Sequence, residues 1–313
     1  MEPFRGVGEN VTKGLTGFGE FAGAFPDSDL AVGWGRFDAV HVFSLSRREL
    51  LGSFASIFER GGRRLAVVDG DPPVVVAGAW DRYGVAGYGI DGELVWERRD
   101  LKKSQQLHPV GKGGVAVGME YKMMHVVEAT TGETVRTVRG ADYLCHDGRS
   151  SLVMAVRRGS YDLVAYAVPE WRQAWKVQLS GVIDVALSQD AVLTTGTEGH
   201  AHLNPSRSLT FDPKGVTCVD MSGAVAWTWT PKTSGHVFRV AWSRALGAWA
   251  GLYRAYERLP DSLLVWSTTG ELLHSVQLSH RPLAFASEGS LLLTNGGEVL
   301  DVPSGRVLWK LTF

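Results

Sequence analysis

Apolar residues in this chain come in short bursts. Runs such as Val74-Val75-Val76-Ala77, Leu152-Val153-Met154-Ala155-Val156 and Leu291-Leu292-Leu293 are bounded by Gly, Pro, Asp or Ser. No apolar stripe is sustained at the 3.6-residue period over helical length, so strands are predicted throughout. They fall into groups of four. The second group takes 65–68, 74–80, 84–90 and 93–97; the third takes 106–109, 114–120, 123–129 and 134–138; the last takes 283–286, 291–294, 299–302 and 307–313. Residues 1–17 are Gly-rich and weakly patterned, an arm or one extra edge strand. Residues 18–313 form the single patterned domain.

The turns between third and fourth strands set the period. Asp91-Gly92 is a hairpin signal, because Gly accepts φ > 0 without a Cβ clash. Leu94-Val95-Trp96 follows it. Thr131-Gly132, Ser222-Gly223, Thr269-Gly270 and Ser304-Gly305 repeat the turn, and Trp96, Trp227 and Trp309 each stand four residues past the Gly. Arg136 and His274 take the Trp position in the third and sixth groups. Ser46-Arg47-Arg48 and Pro169-Glu170 replace the Gly turn in the first and fourth. The seven markers recur on average about every 43 residues, the length of a propeller blade. The expected fold is all-β: a seven-bladed β-propeller of four-stranded antiparallel blades around an axial channel.

The three Gly-x-x-x-Trp runs at Gly92, Gly223 and Gly305 resemble the repeat of the pyrroloquinoline-quinone-type propellers. Leu264-Val265-Trp266-Ser267, followed by Gly270, resembles the end of a WD-repeat, with Ser267 where that family has Asp. The resemblance spans nearly the whole chain as a blade pattern and implies the propeller fold. Quinone-dependent relatives are exported and bind calcium beside the quinone. Nothing in the sequence carries that chemistry over, and no cofactor is expected.

Composition narrows the class. Of 313 residues, 44% are hydrophobic, enough for a large core, and 38 are Gly, in keeping with many tight turns. A net charge of −1 gives no bulk pull toward nucleic acid or a membrane surface. The two cysteines, Cys145 and Cys218, are no disulfide framework, and the Met1-Glu2-Pro3-Phe4 start lacks a basic then apolar leader pattern. A reducing, cytoplasmic location is the expectation. Eleven Trp are many. On outer strands, Trp96, Trp175, Trp227 and Trp309 are expected to bury area against the next blade.

Four constellations are candidates for chemistry. Cys145-His146-Asp147 holds nucleophilic residue types, but neighbours on a strand point to opposite faces, so a small buried Cys beside a turn is the expectation. His200-Ala201-His202 places two imidazoles on one face of an extended segment, where both can reach one metal ion. Two ligands fall short of a site. Asp69, Asp147 and Asp184 end or follow predicted inner strands and can approach the axis.

The fourth is the set of hairpins between second and third strands, whose tips fall on one face of a propeller. Those tips carry Arg36, beside Phe37; Trp80, Arg82 and Tyr83; Tyr121 and Lys122; Arg157, Arg158 and Tyr161; and Arg254, Tyr256 and Arg258. Five of seven blades thus pair a basic with an aromatic residue. Forked donors and rigid rings suit a binding surface. Asp38, Asp81, Glu120 and Glu257 beside them equally fit ordinary solvated turns with internal ion pairs. The sequence therefore points to a non-catalytic interaction or scaffold module with a protein partner, possibly an acidic one. The rival readings are a metal-dependent hydrolase or lyase in the axial channel, or a relic of a quinone-type oxidoreductase.

Overall fold

The computed structural model describes residues 20–25, 29–34, 39–58, 64–68, 70–78, 84–102, 104, 106–111, 113–119, 123–141, 143–146, 150–157, 162–179, 182, 184–195, 215–256 and 260–311. These form 28 strands in seven consecutive four-stranded antiparallel blades, at 20–55, 64–98, 106–139, 143–178, 185–229, 235–277 and 282–310. There is no helix among the described residues. The expected seven-bladed propeller is the fold. The 1–17 arm lies outside the described residues.

Blade position explains the strand patterns. Second and third strands are sandwiched between neighbouring blades and read as continuous apolar runs: Val74–Gly78 and Val85–Tyr88 are buried at every residue. Outer strands keep one face in water, and Arg172–Gln178 and Leu272–Gln277 are largely exposed. Each inter-blade layer is its own apolar cluster. Val68, Val76 and Val85 of blade 2 meet Val115, Val117 and Val127 of blade 3. Ala31 and Phe43 of blade 1 meet Leu293 and Val299 of blade 7, which closes the ring. All four strands of blade 7 come from 282–310, as the sequence predicted. Blades 1 and 2 are also knitted by backbone. Their first strands run parallel near the axis and pair at Ala24 with Val67 and Phe25 with Val68.

The seven turns between third and fourth strands are equivalent in detail. Arg48, Gly92, Gly132, Trp171, Gly223, Gly270 and Gly305 all have positive φ. In blade 4 the residue with φ > 0 is Trp171, one place later than the Glu170 marker, and Trp175 then stands four residues beyond it like the other Trp. Each blade has a register shift between its third and fourth strands. The skipped residue lies just before the Trp position: Val95, Val135, Leu273 and Leu308 are examples, 47% to 62% exposed.

The Trp position holds the seams. The indoles of Trp96, Trp175 and Trp227 cross to the next blade and donate Nε1–H to Ala129 O at 2.6 Å, Met221 O at 2.8 Å and Thr268 O at 2.8 Å. They lie over Gly132, Gly223 and Gly270, where a Cβ would come within 2.6 to 3.0 Å of the ring. Glycine is needed there for contact as well as for φ. Phe54 covers Gly92 and Val276 covers Gly305 in the seams without this Trp. The last two seams pair Arg136 with Trp171 and Trp309 with Arg48. Trp96 is 8% exposed, but Trp175, Trp227 and Trp309 are only half-buried. Trp309 buries part of its ring beneath Arg48 of the first blade, at the rim of an exposed turn.

Candidate functional site

Antiparallel order puts the hairpins between second and third strands, the ends of fourth strands and the starts of first strands on one face. Blade 6 shows how this face is built. Its first two strands pair His236 with Arg254, and a bulge between Val237 and Arg239 takes Phe238 out of register. Arg254 is the penultimate residue of the second strand, and Asp261 immediately precedes the third. Arg254 donates Nε–H to Asp261 Oδ1 at 2.8 Å and Nη2–H to Oδ2 at 2.7 Å, a fork-to-fork pair across the hairpin. These hydrogen bonds raise the Arg254 pKa above its ordinary value, against the effect of burial.

The same guanidinium sits 4.6 Å from the Phe238 ring centroid. His236 lies between Phe238, at 6.0 Å, and Tyr256, on which it stacks at 5.4 Å and 27°. The result is a continuous rank from Asp261 through Arg254, Phe238 and His236 to Tyr256. Burial, then the neighbouring Tyr253, raises the Tyr256 phenol pKa. Tyr256 is 37% exposed.

Beside this rank, blade 5 ends and blade 6 begins. A groove of about 400 Å³ runs between the two blades there. Tyr253, Ala255 and Leu264 form its buried floor, and Trp229, Pro231, Lys232, Pro260 and Leu272 flank it. Tyr253 Oη donates to Thr233 O at 3.0 Å and lies 2.8 Å from Thr233 Oγ1, which ties the inter-blade connection to the blade 6 sheet. Trp229 is braced edge-on by Trp266 at 5.2 Å. Sequence reasoning missed this groove, although Trp227-Thr228-Trp229 carried the signal. Residues i and i+2 of a strand share a face, so the Trp that docks on blade 6 brings a second Trp against it.

Arg157 is the other described candidate. It ends the second strand of blade 4 and donates Nη2–H to Tyr166 Oη within its own blade. Its cross-strand neighbour Asp162 is buried and meets Lys176 Nζ at 3.6 Å. Arg157, Arg254 and Tyr256 thus lie on the predicted face, but both arginines are engaged within their blades. Arg36, Trp80, Arg82, Tyr83, Tyr121, Lys122, Arg158, Tyr161 and Arg258 lie outside the described residues, as do His200 and His202.

The remaining constellations resolve into structure. Cys145 packs against the core between blades 4 and 5. His146 points the other way and accepts Gly111 N–H at 3.0 Å from blade 3, while its Nε2 faces Ser150 O at 2.8 Å. The pair diverges as strand alternation requires. Asp184 is buried and accepts Val240 N–H at 2.9 Å, a clamp between blades 5 and 6. Asp69 and Asp147 lie outside the described residues. No group of three His, Cys, Asp or Glu among the described residues is placed to hold a metal ion.

No protein-family model and no curated protein matches the chain. Solved structures do resemble it. The crystal structure of BamB from Moraxella catarrhalis superposes with a TM-score of 0.56 at 13% identity, covering 90% of this chain and 83% of that one. The computationally designed Ika8 protein superposes with a TM-score of 0.61 at 16% identity, covering 96% and 88%. At these identities the likeness is one of fold.

Proposed function

We propose that this propeller is a non-catalytic interaction module whose contact surface is the face bearing the hairpins between second and third strands. The carrying observation is Tyr256. It is the exposed end of a rank in which His236, Phe238, Arg254 and Asp261 fix one another. A rigid aromatic that is already ordered loses little freedom on binding, which is what a contact hot spot requires. Arg254 serves that rank as a brace, since Asp261 occupies both arms of its fork.

The sequence sets further basic and aromatic residues on the tips of blades 1 to 4. We read them as extending the surface and favouring a partner with carboxylates, since Arg forks match that group. Two free thiols, one of them buried, fit the cytoplasmic location read from the sequence. No observation favours the axial-channel enzyme over this reading.

The test is crosslinking capture from the native host with immobilised wild type, Tyr256→Ala and the double variant Arg82→Glu/Arg158→Glu. Specific partners should be retained by wild type and lost from both variants, with melting temperatures unchanged. Equal capture by all three proteins removes this face as the contact surface.

A further inference from the structure

We propose that the groove between blades 5 and 6 binds a proline-rich peptide segment that carries a carboxylate. The inference rests on the reading of this face as the contact surface and names the partner's chemistry at one place on it.

The first observation is an imbalance of hydrogen-bonding groups. Trp96, Trp175 and Trp227 all spend their indole N–H on a carbonyl of the next blade. Trp229 is half-buried in the groove wall, and no described residue accepts its N–H. The side chains of Ser275 and Gln277 on the rim make no hydrogen bond to described residues either, and both residues are exposed. The groove thus offers an indole N–H that can only donate, with a hydroxyl and an amide that can donate beside it. A proline-rich segment is the complementary ligand, since its residues lack N–H and its polyproline II backbone leaves every carbonyl without an internal partner.

The second observation is the apolar frame. Trp229, Pro231, Tyr253, Pro260 and Leu272 are flat or aliphatic surfaces against which pyrrolidine rings pack, and aromatic-lined grooves are the known means of reading such segments. The frame is ordered beforehand, because Trp266 braces Trp229 and Thr233 anchors Tyr253. A volume of about 400 Å³ lies in the range that small binding sites occupy.

Charge fixes the third element. Lys232 is the one charged residue among the described residues that line the groove. It is exposed and has no carboxylate partner among the described residues. An acidic residue next to the prolines would meet it.

The experiment is fluorescence anisotropy on the full chain. The probe is a labelled peptide of eight prolines ending in two aspartates, against a Gly-Ser peptide with the same ending and a proline peptide ending in two lysines. The proline–aspartate probe should bind about tenfold or more tightly than the Gly-Ser control, the gain expected of a preformed ligand. Trp229→Phe keeps a ring against Trp266 and removes only the donor, and it should weaken the probe about fivefold. Lys232→Glu should weaken the aspartate probe and strengthen the lysine one. Equal binding of the proline and Gly-Ser probes overturns the proposal, as does wild-type affinity in both variants. If the groove binds no probe while Tyr256→Ala still abolishes partner capture, the groove assignment is lost and the contact face stands. If the probe binds and capture survives Tyr256→Ala, the reverse holds.

Discussion

Trp309 lies beneath Arg48, whose guanidinium carbon stands 4.7 Å from the indole centroid at the seam between the last blade and the first. The seam between blades 3 and 4 uses the same two residue types in exchanged places: Arg136 on the outer strand and Trp171 in the turn, 5.8 Å apart. Both turn residues have positive φ, 58° at Arg48 and 57° at Trp171. The five other turns all put Gly under an apolar or aromatic cover, and Gly fits that conformation without strain. Here a cation–π contact holds a side chain in it, at a backbone cost of about 1–2 kcal/mol.

That balance makes Arg48 a sharp probe. Arg48→Ala keeps the strained φ and loses the contact, so it should destabilise by about 1 kcal/mol. Arg48→Gly loses the contact and relieves the strain, so its urea midpoint should stay near wild type. If Arg48→Gly unfolds at clearly lower urea than wild type, the cation–π contact outweighs the strain.

The Trp seams should differ among themselves. Trp96 is buried and hydrogen-bonded to Ala129 O, so Trp96→Ala should cost about 3–5 kcal/mol. Trp309 is half-buried, and its Nε1 has no acceptor among the described residues. Its removal should cost about half as much. Denaturant melts of the two variants check the order, and equal losses would show that Trp309 is as deeply held as Trp96.

His41 gives the fold an acid limit. It is buried beside Ser53, with Nδ1 2.7 Å from Oγ, and burial pushes its pKa from 6.5 down to about 4. Between those values the unfolded chain binds more protons than the folded one, so stability falls as pH drops from about 6.5 toward 4. The full loss is on the order of 3 kcal/mol. His41→Gln should flatten this part of the stability profile, and an unchanged slope would assign the acid sensitivity elsewhere.

The thiols should be quiet. Burial, with Asp220 nearby, pushes Cys218 up to about 12. Ellman's reagent should leave Cys218 unmodified in the native protein and label it after unfolding. Rapid labelling of Cys218 in the native state would mean that the interface between blades 5 and 6 opens.

The architecture was legible because each level repeats the same message. Turn markers, apolar runs and Trp spacing all recur at blade length, and six of the seven markers are the residues with positive φ. The seventh was displaced because Trp171 takes a conformation usually left to Gly, and its support, Arg136, comes from another blade. Sites were harder to read. Charge and aromatic content singled out Arg254 and Tyr256 on the hairpin face, but no local pattern shows that Asp261 holds Arg254. The groove needs blades 5 and 6 side by side, and Trp229 alone gives no hint of the floor that Tyr253 and Leu264 supply.

The register shifts at Val95, Val135, Leu273 and Leu308 bear on solubility. A propeller of this kind carries seven sheet edges around its circumference, and aliphatic side chains on such edges invite another molecule to add a strand. Each of these edges breaks step at the same point, so a straight incoming strand cannot stay in phase with it across the shift. Exposed Val and Leu are therefore tolerable here. Excising Val95 would restore an even ladder and leave blade 2 with a template for end-to-end stacking, so the unpaired residue that looks like a fault in the sheet guards it against self-association.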